Sequence, residues 1–389
     1  MKRIIIIMLL VVATAHPAFA VSLAYQYKFA DINKYGIGIH AVDINWYNYD
    51  LAVSLYMSDR VSGNRIFDGV KIHNLMRRQP KLDLSEYTSA LHYINNSLIR
   101  AAEPVPNKPH VLVSHNGESY AVNWKKGLTS KVSKIHNFRS NILTQEPIPG
   151  TGNCPPANLN QFDLSGNLLA TYGNASNLAT KDVIPGTTII YGVTSCKQYS
   201  VYDMARQQVL WTSAPDTGIL HPNGHAYILS PAGQLIAPYY GKLRLINMAD
   251  GNFIKELPDI TDVTGNKIYA YSTGSPMSLV ANDIITYVTD NITYYIARID
   301  ATTMKIKWKT AVGKGTGAYQ HMKSILVRDL VISAIGNQVV VARLSDGSLL
   351  FNQTNVTDAM YESAIKVSPD GKRLFTHTME SAYIFNLYD

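Results

Sequence analysis

One hairpin pattern recurs along this chain and limits what it can fold into. Between Tyr294 and Thr310 the sequence reads YYIARIDATTMKIKWKT. Ile296 and Arg298 alternate with Ala297 and Ile299, and beyond a turn Met304, Ile306 and Trp308 alternate with Lys305, Lys307 and Lys309. Alternation with a period of two belongs to half-buried strands, so the stretch is a β-hairpin. The same sequence of strand, polar or Gly turn, and strand returns in FDLSGNLLAT from Phe162, VYDMARQQVLW up to Trp211, INMADGNFIK from Ile246 and RLSDGSLLF up to Phe351. Aligning the residue that ends the first strand gives Asp163, Asp203, Asn247, Asp300 and Leu344, with weaker members at Asn123 and Asn386. Neighbouring markers lie ~40 to 53 residues apart, the spacing of a four-stranded propeller blade. They predict an all-β propeller of seven four-stranded blades, with eight as the alternative because Asp43 lies two periods ahead of Asn123.

Residues 1–20 have the layout of an export signal. Lys2 and Arg3 precede an apolar run from Ile4 to Val12, and Ala18-Phe19-Ala20 offers small residues for cleavage. That run is too short to cross a bilayer as a helix, and no later apolar stretch is long enough to span one once the signal is removed. The mature chain is expected to begin at Val21, in the periplasm or outside the cell, and without a Cys after the apolar run it is expected to carry no lipid. The formal charge of +7 includes Lys2 and Arg3. The remaining surplus is scattered with no basic run, which is a weak argument for an acidic partner and fits solvated blade surfaces better. With no nucleic-acid module in the sequence, no nucleic-acid partner is expected. Cys154 and Cys196 sit ahead of the consecutive markers Asp163 and Asp203. In an oxidising compartment that placement predicts a disulfide between neighbouring blades.

Residues 31–109 depart from the pattern and are expected to form an insertion, with the blades running from 110 to 389. Ile37 to Met57 is read as two strands joined near Asn48-Tyr49-Asp50. A helix is predicted over 84–102: Asp83 and Glu86 form a capping box, and Leu84, Tyr87, Leu91, Ile94 and Leu98 fall on one face. The chain ends shortly after Asn386, too soon for a fourth strand in the final blade. Residues 21–30 are therefore expected to supply it, with Leu23 to Ala30 beside Ser381 to Leu387, because an open edge invites aggregation.

At Asp203 to Trp211 and Asp300 to Trp308 the sequence resembles the quinoprotein-like, PQQ-like propeller repeat, with Gln207 and Met304 where that repeat has Gly. Ser368-Pro369-Asp370-Gly371 is similar to a turn of WD40-like and YVTN-type propellers. The resemblance covers about Tyr120 to Asp389 and implies an architecture shared by scaffolds, receptors, lyases, hydrolases and dehydrogenases. Outer-membrane assembly scaffolds of the BamB type are similar in length and repeat. Quinoprotein dehydrogenases hold pyrroloquinoline quinone and calcium beside a disulfide of adjacent cysteines. No adjacent Cys pair occurs here, so no cofactor is expected.

Trp211 and Trp308, recurring at one point of the repeat, are expected to fill blade seams, and Asp163, Asp203 and Asp300 to hold turns. Candidate binding residues lie in loops entering the innermost strands: Asp216, His221 and His225, then His321, then Glu362. Imidazoles and carboxylates meeting at the axial opening could bind a ligand or move protons. The Pro and Gly between His221 and His225 preclude a regular helix, so their spacing matches no metal signature, and no metal site or catalytic residue is assigned. The expected function is an exported, non-catalytic scaffold that binds an envelope or extracellular protein, or a glycan. A propeller enzyme with an axial site is the alternative.

Overall fold

A computed structural model describes residues 21–31, 34–103, 110–148, 156–176, 178–183, 187–194, 196, 198–213, 228–229, 233–239, 241–270, 278–314, 323–335, 338–354, 361–378 and 380–388. The described residues contain strands and turns and no helix. Among the described residues the strands form eight antiparallel sheets, six of them four-stranded meanders, in a propeller of eight blades. First strands of neighbouring blades touch one another, so they line the axis, whereas fourth strands such as Phe253–Glu256 are exposed throughout.

Blade 1 is built from Tyr35–Asn45, Asp50–Asp59, Arg65–Asn74 and Gln79–Leu84. Blade 2 follows with Thr88–Ile94, Ser97–Ala102, Val111–Asn116 and Val122–Gly127. Residues 31–109 thus hold a whole blade and half of another where an insertion was expected. The helix expected over 84–102 is instead the first hairpin of blade 2. Asn95 and Asn96 both have positive φ, 46° and 58°, the backbone of a two-residue hairpin turn. Short apolar runs fit helix or strand equally well. Here both faces of the strands are buried between blades, so the apolar residues did not alternate with polar ones.

This also corrects the count from seven to eight. The residue ending the third strand is Asn74 in blade 1 and Asn116 in blade 2, and each accepts backbone N–H groups of its turn, from Arg77 at 2.7 Å and from Glu118 at 2.9 Å. Asn123 belongs to the fourth strand of blade 2 and Asp43 to the first strand of blade 1. The Asp turns behave as the repeat implies: Asp163 Oδ1 accepts from Ser165 N at 2.9 Å, Asp203 Oδ1 from Ala205 N at 2.9 Å, and Asp300 Oδ1 from Thr303 N at 2.8 Å. Gln207 and Met304 take positive φ, 54° and 56°, at positions where the repeat has Gly.

Blade 6 is the most elaborate, a six-stranded sheet. Its Thr293–Asp300 and Ile306–Lys314 are the hairpin that defines the repeat, with Arg298 opposite Trp308. Blade 8 contains Tyr361–Val367, Arg373–Thr378 and Ser381–Asn386. Ser22–Lys28 is its fourth strand and runs antiparallel to Ser381–Asn386, with Ser22 opposite Asn386 and Lys28 opposite Ser381.

The core lies in the seams between blades. Val201 and Trp211 of blade 4 pack with Leu235, Ala237 and Ile246 of blade 5. Three tryptophans from fourth strands reach across in one way. Trp124, Trp211 and Trp308 donate Nε1–H to the carbonyls of Leu164, Met248 and Leu344 in the next blade, at 2.8, 2.6 and 3.0 Å. The ring then lies against the Gly of that blade's turn. A Cβ at Gly166, Gly251 or Gly347 would sit 2.8, 2.4 or 2.7 Å from an indole carbon, and all three have positive φ. Only Gly combines that backbone with that approach.

Candidate functional site

An antiparallel meander puts its first and third turns at one end of the blade. At that end of the ring, the first strands of blades 8, 1 and 2 bring together Lys366, Asp43 and His92. Asp43 is 2% exposed. Its Oδ2 accepts from His92 Nδ1 at 2.5 Å and from Tyr93 N at 2.8 Å, and its Oδ1 from Ile44 N at 2.6 Å and from the Lys366 ammonium. Four donors fill the acceptor capacity of a carboxylate. Burial pushes the Asp43 carboxyl up, but the Lys366 charge and the His92 hydrogen bond together outweigh it and bring it down to about 2, from an ordinary 3.8. An ionised carboxylate only accepts, so His92 carries a proton on Nδ1. The side chains of His92 and Lys366 remain 28% and 30% exposed.

A second buried carboxylate lies just past the first turn of blade 1. Asp50 accepts from Asn74 Nδ2 at 2.6 Å, Lys81 Nζ at 2.6 Å and Tyr120 OH at 2.8 Å. Tyr120 also shares a 2.8 Å hydrogen bond with Tyr93. Burial, with Tyr93 opposing it, pushes the Tyr120 hydroxyl well above the ordinary range, so it stays protonated and donates to Asp50. Behind it, Arg100 Nε donates to His115 Nε2 at 3.0 Å while its NH2 meets Glu86 at 2.6 Å.

The Asp43 and Asp50 clusters join blades 8, 1 and 2 to one another, with the Asp43–His92 pair at the axial end. The pair can orient an imidazole and expose its second nitrogen. Asp43 itself has no acceptor capacity left for a metal, and among the described residues no three His, Cys, Asp or Glu side chains are grouped to hold one.

Of the residues singled out in the sequence, Asp216, His221, His225 and His321 lie outside the described residues, as does Cys154. Glu362 lies in the first strand of blade 8, Tyr361–Val367. Cys196 lies in the turn between the second and third strands of blade 4. Sequence reasoning passed over Asp43, His92 and Lys366 as site residues. The available signal was a polar residue just ahead of the first turn in an otherwise apolar strand, DIN and HYI.

No family model matches the chain, and no curated protein matches it. Solved structures do. The computationally designed Ika8 protein aligns over 94% of this chain and 98% of its own, at TM-score 0.56 and 11% identity. BamB from Moraxella catarrhalis aligns over the same shares, at TM-score 0.54 and 10% identity. No helix among the described residues is long and apolar enough to cross a membrane. At such identities the likeness shows the fold alone: this chain is a β-propeller.

Proposed function

We propose that the chain is an exported, non-catalytic propeller that holds another protein in the cell envelope or outside it, with a glycan as the other class of ligand. The observation that carries this reading is an apolar rim. Where the fourth strand leaves the third turn, the same position is exposed and apolar in blades 2, 3, 4, 5 and 7, namely Val122 at 48%, Leu168 at 50%, Val209 at 36%, Phe253 at 59% and Leu349 at 53%, whereas Ile306 of blade 6 is buried. Exposed apolar residues repeated around one end of a ring suit a protein partner. The export layout of residues 1–20 and the BamB-like fold favour the same reading, and Cys154 bridged to Cys196 would fit that compartment.

A photocrosslinking amino acid at Phe253 or Leu349 tests it in the native envelope. The expected result is a discrete adduct with one protein, lost when Val209 and Leu168 are changed to Asp. A rim that yields no adduct, together with turnover of a small-molecule substrate, would replace the scaffold with an enzyme. The Asp43–His92 pair favours that second reading: an imidazole oriented by a buried carboxylate is a general-base arrangement. Its own test is loss of turnover in His92→Ala with the melting temperature retained.

A further inference from the structure

We propose that the turns of blades 1 and 8 at the axial end form a docking surface for an acidic segment of the partner protein, with carboxylates flanking an aromatic or aliphatic anchor. This rests on the scaffold reading and specifies the partner's chemistry and position.

The first turn of blade 1, its third turn and the first turn of blade 8 all lie at the same end. They present Tyr47, 76% exposed, and Met76, 55% exposed, together with four cations: Arg77, Arg78, Lys372 and Arg373. What holds these cations is aromatic and thioether surface. The Arg373 guanidinium lies 4.7 Å from the Tyr49 ring centre and donates to Met76 Sδ at 3.2 Å, and that of Arg78 lies 5.0 Å from the Tyr25 ring. Among the described residues none of the four makes an ion pair. The acid beside them is Asp370, whose Oδ1 accepts from Ser368 Oγ at 2.6 Å and Lys372 N at 3.0 Å and so caps its own turn. The buried Asp43 and Asp50 beneath are matched by Lys366 and Lys81.

Blades 5 and 6 provide the contrast. There Lys242 pairs with Glu256, Lys267 with Asp259, and Lys307 with Asp283. The blade 1 and blade 8 turns thus carry four cations without an ion pair among the described residues, of which Lys372 and Arg373 act on Asp370 only through space, interleaved with Tyr and Met. Arginine, tyrosine and methionine are enriched at protein interfaces, and a positive patch steers and selects a negative partner. The complement is a carboxylate-rich segment with an apolar anchor for the ground around Tyr47 and Met76.

The test uses the full mature chain and a fluorescent synthetic peptide that alternates Glu with Phe and Leu. The variant is R77E/K372E, chosen because both positions serve the fold through backbone atoms: Arg77 N donates to Asn74 Oδ1, and Lys372 takes part through its N–H and its carbonyl. The expected result is binding to the wild type that weakens at least about tenfold in the variant, with an unchanged melting temperature. Equal binding by the variant overturns the proposal, as does equal binding of a peptide with Lys in place of Glu. A Glu-only peptide that binds as tightly overturns the anchor, and no binding overturns the whole. Photocrosslinking separates this outcome from the scaffold reading. If Phe253 captures a partner while Tyr47 does not and R77E/K372E changes nothing, the scaffold stands and this surface falls.

Discussion

Three seams between consecutive blades, those filled by tryptophan, and the seam that closes the ring are built differently. At Trp124, Trp211 and Trp308 an indole slides under the Gly of the next blade's turn and donates to a backbone carbonyl. Those contacts are neutral and join residues close in sequence. The closing seam, between blades 8 and 1, joins Lys366 to Asp43 across 323 positions. It also stacks Tyr27 on His73 at 3.4 Å between ring centres, and sets Arg373 over Tyr49. At the three tryptophan seams the chain delivers sequential blades to each other and an apolar plug suffices. The seam between blades 1 and 2 adds Asp43–His92 and Asp50–Tyr120 and shares the buried carboxylate with the closing seam. Ring closure has to bring distant strands together against loop entropy, and directional charged contacts fix their register where apolar packing alone would tolerate slippage.

The largest predicted effect breaks an ordinary seam. Trp308→Ala should lower stability by about 3–5 kcal/mol through the cavity it opens and the hydrogen bond it removes, read as a lower urea midpoint that does not depend on pH. Gly347→Ala should also destabilise, because its Cβ would meet that ring at 2.7 Å on a backbone with φ of +72°. Next comes the charged seam. Lys366→Met removes a main source of the low Asp43 pKa and should cost on the order of 2 kcal/mol near neutral pH. A group held below its ordinary 3.8 stabilises the fold above that value. The loss should therefore shrink as pH falls from about 4 toward about 2, which urea titrations over that range would show.

A smaller and differently placed effect belongs to His73. Burial lowers its pKa from 6.5 to about 4, with the Asp50 charge opposing. Folded protein thus binds a proton less readily than unfolded chain, and stability is lost as pH falls from 6.5 toward 4. His73→Phe keeps a ring against Tyr27 and should flatten that part of the acid profile in thermal melts. The smallest effect concerns the cysteines: if Cys154 and Cys196 are bridged, mass spectrometry after alkylation should find neither labelled until reductant is added.

Much of the ring was legible because its turns are chemically explicit. Asp163, Asp203 and Asp300 each begin a turn, and Trp recurs at a fixed distance beyond two of them. Blades 1 and 2 were not legible in that way. Their third strands end in Asn74 and Asn116, and the turn after Asn74 takes its positive φ at Arg78, not at a Gly. Asn95-Asn96 was read through as helix because burial on both faces erased the alternation around it. The axial cluster carried almost no signal, since Asp43, His92 and Lys366 meet only through ring closure and each alone looks like an ordinary strand residue.

Amide hydrogen exchange at pH 7 and pH 4.5 tests the contrast between the two kinds of seam most directly. At pH 4.5, where the stability carried by neutral His73 is largely lost while Asp43 is still ionised, the Ser22–Lys28 and Ser381–Asn386 ladder should lose protection while the Thr293–Asp300 and Ile306–Lys314 ladder, behind Trp308, keeps its own. Equal loss in both ladders, or loss first at Trp308, would contradict a ring closed by a titratable seam and held elsewhere by neutral tryptophan seams.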